Sequence, residues 1–347
     1  MSAAQREAAD GTYGPNCDEQ RSAPRASLLL LTYNQRAFVR AAAESCFAQD
    51  CEPIEILFTD DASADGTYEE LLDLAACYRG PHTVRVRRNV TNLGIGAHYN
   101  AAIAASRGEL LITAGGDDIS LPHRVKTLLA AWDAMGGNAD LISSAVVDMH
   151  VDGSVHGVLR VSDLACWTRP DDWVRKRPYV IGASHAFTRR MHRHFGDFVE
   201  ALAYEDQVMA LRACSLGGSV TVTEPLLCYR RGGLSALGDA AATPQGFLRW
   251  SLRKHERQQA LYEQVKRDLA TAGRMDLWCG KPKRAARRSA LALRMLTEPR
   301  AMQRLLLALR PRAAGIFWAL RHGLYFTAPQ VAVAIRAAQK LVKRCMR

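Results

Sequence analysis

Cysteine pairs spaced to hold zinc are absent from this chain. Its nine cysteines (Cys17, Cys46, Cys51, Cys77, Cys166, Cys214, Cys228, Cys279 and Cys345) include no CxxC unit and are odd in number. That argues against a zinc ribbon and against a secreted disulfide framework; the cysteines read as reduced thiols in a cytoplasmic protein. An apolar leader is also missing. Residues 1–25 are rich in Ala, Glu, Asp, Gly and Pro, do not read as a secretory signal and are expected to be disordered. No repeat of roughly 20–50 residues recurs, which argues against a solenoid. Within residues 281–347 the longest uncharged run, Gly323 to Ile335, has 13 residues and includes Pro329. A spanning helix needs about 20.

Acids are nearly missing from that same end. Residues 281–347 carry 16 Lys and Arg and one acid, Glu298. The net charge of +11 therefore belongs to the C-terminal part, because residues 1–280 hold 30 Lys and Arg against 34 acids. A mildly acidic front part argues against a nucleic-acid groove there, and no nucleic-acid partner is expected.

What is present is a repeated pattern of paired acids. Ile54 to Thr59 is an apolar run without helical period, and it ends in Asp60-Asp61. Glu109 to Ala114 is a second such run, followed by Gly115-Gly116-Asp117-Asp118. Short apolar runs of this kind read as strands buried on both faces. They place four carboxylates along the edge of a sheet where ligands bind in open α/β folds. Clustered acids repel one another unless a cation or polar ligand holds them. The pattern points to a nucleotide and a divalent metal.

Strands alternate with helices through about residue 135. Ser27 to Leu31 is the first strand, a helix follows from Phe38 to Gln49, and Asp65 is placed to cap a helix through Tyr78. Pro122 is expected at the first position of another helix. Asp140 to Met149, Val155 to Val161, Val180 to Phe187, Ser219 to Thr223 and Leu226 to Arg230 read as strands, and Glu205 to Ser215 as a helix. The rhythm predicts an α/β fold with a mostly parallel sheet and helices on both faces. After about Ala240 the pattern is helical.

The segment Asp60-Asp61-Ala62-Ser63-Ala64-Asp65-Gly66-Thr67 resembles the DDxSxDGT signature of family 2 glycosyltransferases. Thr32-Tyr33-Asn34 is similar to that family's opening TYN. Asn92-Leu93-Gly94 followed by Asn100 is similar to its NxG…N segment. Gly108-Glu109, Asp117-Asp118 and Leu121-Pro122 are similar to its GE…DD…LP series. The resemblance covers roughly residues 26–235, with the motifs in family order. It implies a GT-A, Rossmann-like fold over 26–240, an inverting transfer from a nucleotide sugar, and a basic helical appendage over 241–347.

The resemblance also implies site roles. Asp61 would accept a hydrogen bond from the base, with Asp60 supporting. Thr32, Tyr33, Asn34, Asn92 and Gly94 would line the nucleotide, with Tyr33 either stacking on the base or simply packing. Asp118 and Asp117 would hold a divalent cation, Mn2+ or Mg2+, against the diphosphate, with Asp117 also touching the donor. Gly115 stands where the family more often carries a further acid. Tyr204-Glu205-Asp206-Gln207 resembles the ED motif that supplies the general base, assigned to Asp206 with Glu205 as second choice. Gly182-Ala183-Ser184-His185 resembles a GAS stretch under the donor sugar and acceptor; His185 reads as a packed or hydrogen-bonded histidine. Tyr229 to Ser235 resembles YRxHxxxxS without its histidine, leaving Arg230 and Arg231 as candidate phosphate ligands.

The basic tail carries Leu305 to Leu309 and Ile316 to Leu320 between its arginines. It suits helices lying in an anionic bilayer surface and equally a helical subdomain with solvated arginines. The expected partners are a nucleotide-sugar donor, a glycan or lipid-linked acceptor and an anionic membrane surface. The place would be the cytoplasmic face of the inner membrane, in cell-envelope polysaccharide or lipopolysaccharide synthesis. Two other readings stand beside this one: a degenerate nucleotide-sugar sensor or scaffold, and nucleic-acid binding through the tail.

Overall fold

The structure is a computed structural model and describes residues 11–13, 23–231, 242–309 and 315–345. The chain divides into two compact units, Met1–Gly233 with Thr271–Gly273, and Leu234–Ala270 with Arg274–Arg347.

The first unit begins with strand β1 (Gly11–Tyr13), β2 (Ala26–Thr32), helix α1 (Arg36–Phe47), β3 (Glu55–Asp60), α2 (Thr67–Cys77), β4 (Thr83–Arg88), α3 (Ile95–Ala105) and β5 (Leu110–Gly115). It continues with β6 (Ile119–Ser120), α4 (Arg124–Ala134), β7 (Leu141–Met149), β8 (Val155–Leu159), α5 (Pro170–Arg175), β9 (Ala186–Thr188), α6 (Arg189–Phe195), α7 (Glu205–Cys214) and β10 (Ser219–Arg230). One sheet runs in the order β1-β4-β3-β2-β5-β9-β7-β10-β6, with β8 paired to β7. The long ladders β4-β3, β3-β2, β2-β5 and β7-β10 are parallel; the short strands β1, β6, β8 and β9 join antiparallel.

Every residue of β2 and β3 is buried. Side chains alternate across a strand, so an unbroken buried run must be covered on both faces. This is why the sequence of β2 is Ala-Ser-Leu-Leu-Leu-Leu-Thr, with no polar alternation. Strand β2 has β3 on one side and β5 on the other, while α1 leads to β3 and α3 leads back to β5. Its C-terminal end is therefore the switch point of the sheet, where a crevice opens. Register brings Leu31 opposite Gly115 and Thr32 opposite Asp60, so both acid pairs emerge beside the Thr32-Tyr33-Asn34 turn.

Several boundaries differ from the sequence reading. Residues 11–13 of the segment expected to be disordered form β1 against β4; residues 1–10 and 14–22 lie outside the described residues. Helix α4 starts at Arg124 with His123 as its N-cap, two positions later than the proline rule gives. Val180 to Phe187 is interrupted by a one-turn helix at Gly182–Ser184, and only Ala186–Thr188 is strand. The two strands expected over 219–230 are one, β10, whose register against β7 shifts on either side of Pro225. Proline has no N–H for the ladder, so the strand bulges there and continues.

The second unit holds α8 (Pro244–Thr271), α9 (Lys281–Thr297), α10 (Ala301–Ala308), α11 (Ile316–Thr327) and α12 (Pro329–Cys345). Its core is Phe247, Ala292, Met295, Ala308, Ala319, Phe326 and Ala332. Alanine at four of these positions lets the helix backbones approach closely. Among the described residues no helix is long and apolar enough to cross a membrane.

One close contact in the first unit matters for the site. A Cβ on Gly96 in α3 would lie 2.7 Å from the Val199 carbonyl and 2.9 Å from that of Leu202. The same segment is clamped by Asn100, which donates to the Phe198 carbonyl and accepts its N–H. Residues 198–202 lead directly into Glu205-Asp206. Gly96→Ala is therefore expected to destabilise the protein by about 1–3 kcal/mol through overpacking. Denaturant unfolding of the two proteins measures it, and a cost below about 0.5 kcal/mol would contradict the close packing.

Candidate active site

Three groups of acids converge at the C-terminal end of the parallel ladders. The first is Asp60-Asp61 at the end of β3. Asp60 is fully buried and its oxygens turn inward. They accept from the Ser63 N–H (2.8 Å), the Ser63 hydroxyl and the Thr32 hydroxyl, which also donates to the Thr59 carbonyl. Burial pushes its pKa up against these bonds. Asp60 thus braces the turn from inside. Asp61 accepts from the Asn89 amide (2.7 Å), the Leu93 N–H (2.9 Å) and the Gly94 N–H (3.0 Å). It pins the loop between β4 and α3 at the crevice. Gly94 has φ +78, a backbone that favours glycine, although a Cβ would meet no atom there. Asn92 and Tyr33 are exposed at the mouth.

Behind Asp61 stands a relay that sequence reasoning did not find. Arg87 donates to the Thr59 hydroxyl (2.8 Å), which is 2.8 Å from His98 Nε2, and His98 Nδ1 lies 3.9 Å from Asp61. Burial lowers the His98 pKa to about 4, against the pull of Asp61, so the ring is neutral. The turn itself is strained. Ala62 has φ 59 and Asn34 φ 50. Asn34 offsets this by accepting from the Ala64 N–H and donating its own N–H to Ser63. Ala62 has no polar side chain to do the same, and such a residue costs on the order of 1–3 kcal/mol.

The second group is Asp117-Asp118, after β5. A Cβ placed on Gly115 would lie 2.9 Å from Asp118 Oδ2 and 3.1 Å from Asp117 Oδ1. Both carboxylates therefore turn to one point beside a bare Cα, where an acid side chain could not fit without moving them. Burial and the neighbouring Asp117 charge raise Asp118 to about 7, and burial raises Asp117. The Arg230 N–H donates to Asp118 Oδ1 at 2.9 Å, leaving Oδ2 for the shared point. Among the described residues no set of three or more His, Cys, Asp or Glu is spaced to hold a metal. Two hard oxygen donors with raised pKa values fit a divalent cation that takes its other ligands from water and phosphate.

The third group is Glu205-Asp206, the first turn of α7. Glu205 faces Gly182, whose Cβ would meet its Oε1 at 2.9 Å. Burial and the Asp206 charge raise the Glu205 pKa strongly. Asp206 is raised less, because the Gln207 N–H donates to it (2.7 Å) and Arg177 attracts it. Both carboxyls are pushed up, Glu205 further, so Asp206 is the readier of the two to ionise. Burial raises the Tyr229 pKa, and the charges of Asp118, Asp117, Tyr179 and Asp206 add to it, so acids of the second and third groups lie within electrostatic reach of its hydroxyl.

Arg230 and Arg231 do not stand free. Arg230 donates to the carbonyls of Asp117, His150 and Val151 and stacks over Phe38 at 4.6 Å. Arg231 pairs with Asp148. The rest of the candidate phosphate loop, residues 232–235, lies outside the described residues.

The residue that ties the groups together is Arg124, also missed from sequence. It is fully buried, donates to the carbonyls of Thr113 (2.6 Å) and Ala183 (2.7 Å) and to the Ser120 hydroxyl (2.9 Å). It joins β5, β6 and the Gly182 turn, and its charge favours ionised Asp118. Burial lowers its own pKa to about 10. Its signal was available: position 124 shares a helical face with the buried Leu128, so a cation sits on an apolar stripe. His185, packed beside it, is fully buried with both ring nitrogens unpartnered, and burial and Arg124 lower its pKa to about 3. It is a packed neutral ring and lacks the hydrogen bonds that were the other expectation.

Residues 27–193 match the family model described as glycosyl transferase family 2. This part of the chain is a family 2 glycosyltransferase domain, and the fold is GT-A. An uncharacterized protein of Mycobacterium tuberculosis is 37% identical over 108 residues, covering 29% of this chain and 31% of that protein. The succinoglycan biosynthesis protein ExoO of Rhizobium meliloti is 31% identical over 125 residues, 35% of this chain and 34% of ExoO. The chain thus spans about a third of the length of these curated relatives. Among solved structures, TarS 1-349 of S. aureus in complex with UDP-GlcNAc aligns with TM-score 0.53 and 17% identity over 87% of this chain and 91% of that one.

Arg124→Met keeps the aliphatic stem and removes the donors to two buried carbonyls. It is expected to cost about 2–4 kcal/mol of unfolding free energy. Denaturant titration reads it, and a neutral result would contradict a bracing role.

Proposed function

We propose that the protein is an inverting, metal-dependent glycosyltransferase that moves a sugar from a nucleoside diphosphate donor, UDP-linked by family resemblance, to a hydroxyl of a glycan or lipid-linked acceptor. The observation that carries this reading is two acid pairs held on neighbouring segments: Asp117 and Asp118 turned to one point beside Gly115, and Glu205 and Asp206 facing the Gly182 turn that Arg124 ties to β5. One pair suits proton removal, the other a diphosphate-bound cation. Residues Thr32 to Asn34, Asp61, Asn92 and Gly94 form the mouth that takes the nucleoside, and Asp60 braces it.

In this reading the Asp206 carboxylate takes the acceptor hydroxyl proton as that oxygen attacks the anomeric carbon. The sugar–phosphate bond breaks on the opposite face, and its electron pair leaves with the nucleoside diphosphate. Mn2+ or Mg2+ held by Asp117 and Asp118 would neutralise the departing charge. Gly182 leaves room for the acceptor chain beside Glu205, whose retained proton keeps a second negative charge out of the site. Arg230 and Arg231 serve the donor only after exchanging their present partners for phosphate.

The pathway reading, envelope polysaccharide or lipopolysaccharide synthesis, draws on the similarity to ExoO. The basic helices suit attachment to an anionic surface, which supports reading the enzyme as peripheral on the cytoplasmic face of the inner membrane.

Nucleoside diphosphate release from a panel of nucleotide sugars, with membrane extract as acceptor, tests the proposal. Asp206→Asn is expected to lower turnover by about 10²–10⁴-fold while donor affinity stays within about threefold. Because the base must be ionised, kcat should rise with pH through about 6 in the wild type. Donor binding without turnover from any nucleotide sugar would replace the transferase with a sensor.

A further inference from the structure

The helical unit contains a cavity of about 210 Å³ that the transfer reaction does not use. Its wall is aromatic, from Phe247, Trp250 and Tyr325, and three cations reach it, Lys254, Arg321 and Arg336. No acid lines it. Arg336 lies over the Trp250 ring at 4.0 Å and the Phe247 ring at 5.3 Å, and Lys254 lies over Trp250 at 5.0 Å. The rings hold these cations in place without neutralising them. Lys254 is accordingly lowered by burial and by the charges of Arg336 and Arg321. The two histidines of the wall, His255 and His322, are each lowered to about 4 by burial, so the charge comes from the three longer side chains. Like charges gathered around a partly open cavity repel one another and destabilise the fold unless an anion joins them.

Beside the cavity runs an apolar stripe. Phe317, Leu320 and Leu324 are 87%, 41% and 48% exposed. They recur at helical spacing on α11 and flank Arg321, which is itself part of the wall. A small anion alone needs no such stripe, and a polar polyanion would avoid it.

We propose that this cavity binds the phosphate head of an anionic membrane lipid, whose apolar part lies along Phe317, Leu320 and Leu324. The guanidinium forks of Arg321 and Arg336 match phosphate oxygens, and Lys254 adds a point charge. The volume admits one head group and excludes a folded peptide. The inference deepens the membrane-surface part of the reading above and is independent of the transferase part. Turnover lost with vesicle binding intact leaves it standing.

The full chain is titrated with vesicles of phosphatidylcholine, with and without phosphatidic acid, and separately with inorganic phosphate. The pocket variant Lys254→Gln/Arg336→Gln is compared with Arg253→Gln/Arg257→Gln, which removes the same charge from exposed positions of α8. Diffuse attraction predicts equal losses. The proposal predicts that the pocket variant loses at least about tenfold more affinity for phosphatidic acid vesicles than the surface variant. It further predicts that Phe317→Ser weakens vesicle binding and leaves phosphate binding unchanged. Arg336→Lys, which keeps the charge and loses the fork, should bind vesicles more weakly than wild type and more tightly than Arg336→Gln, an order that misfolding would not produce. Equal losses in the two double variants would overturn the site. Phosphate binding that depends on Lys254 and Arg336, with vesicle affinity unmoved by either, would overturn the lipid and point to a soluble phosphate ester.

Discussion

Burying negative charge is the constraint around which the catalytic unit is arranged. Three acid pairs lie at the end of one sheet, and a carboxylate out of water must find donors, a cation or a proton. Each pair meets the demand differently. Asp60 and Asp61 are satisfied by N–H and O–H donors and so become structural pins for two loops. Asp117 and Asp118 receive too little, and their pKa values stay high. Glu205 and Asp206 are both pushed up, Glu205 further. Under the proposed reading these three outcomes become binding, cation holding and proton removal.

Arg124 sets the balance. A guanidinium buried below the site supplies positive charge where no water reaches, and its donors lock the backbone of β5 against the Gly182 turn. That turn in turn faces Glu205. The cation is weak enough in effect that Asp118 is still raised. A stronger internal partner would satisfy Asp118 and, under the proposed reading, leave it nothing to offer a metal. Structural bracing and an unsatisfied site therefore come from the same side chain.

Much of this was legible in the sequence, because strands buried on both faces leave unbroken apolar runs and paired acids at their ends stand out. Strands β2, β3 and β5 and the first two acid pairs follow from that, while the GT-A architecture and the Glu205-Asp206 pair were implied by the resemblance of their motifs to family 2 glycosyltransferases. Other features were hidden for identifiable reasons. Asp60 and Asp61 look alike in a motif, yet one points into the turn and the other to the β4-α3 loop, because successive side chains at a strand end point to opposite sides. The run Val180 to Phe187 is apolar enough for a strand, but its center is a helical turn shaped by the Thr113 hydroxyl on the Gly182 carbonyl. The relay of Arg87, Thr59 and His98 joins residues from three elements and leaves no local pattern. Arg230 and Arg231 read as free cations because their partners, backbone carbonyls and Asp148, are distant in sequence.

The central claim is that Asp117 and Asp118 are a half-satisfied pair completed by a cation and a diphosphate. Calorimetry of UDP binding, with Mn2+ and with chelator, for wild type and Asp118→Asn, tests it most directly. The account predicts binding that requires Mn2+ and is weakened at least about tenfold in Asp118→Asn, with no loss of thermal stability because a costly buried carboxylate has been removed. UDP binding of equal strength in chelator and in Asp118→Asn would contradict it.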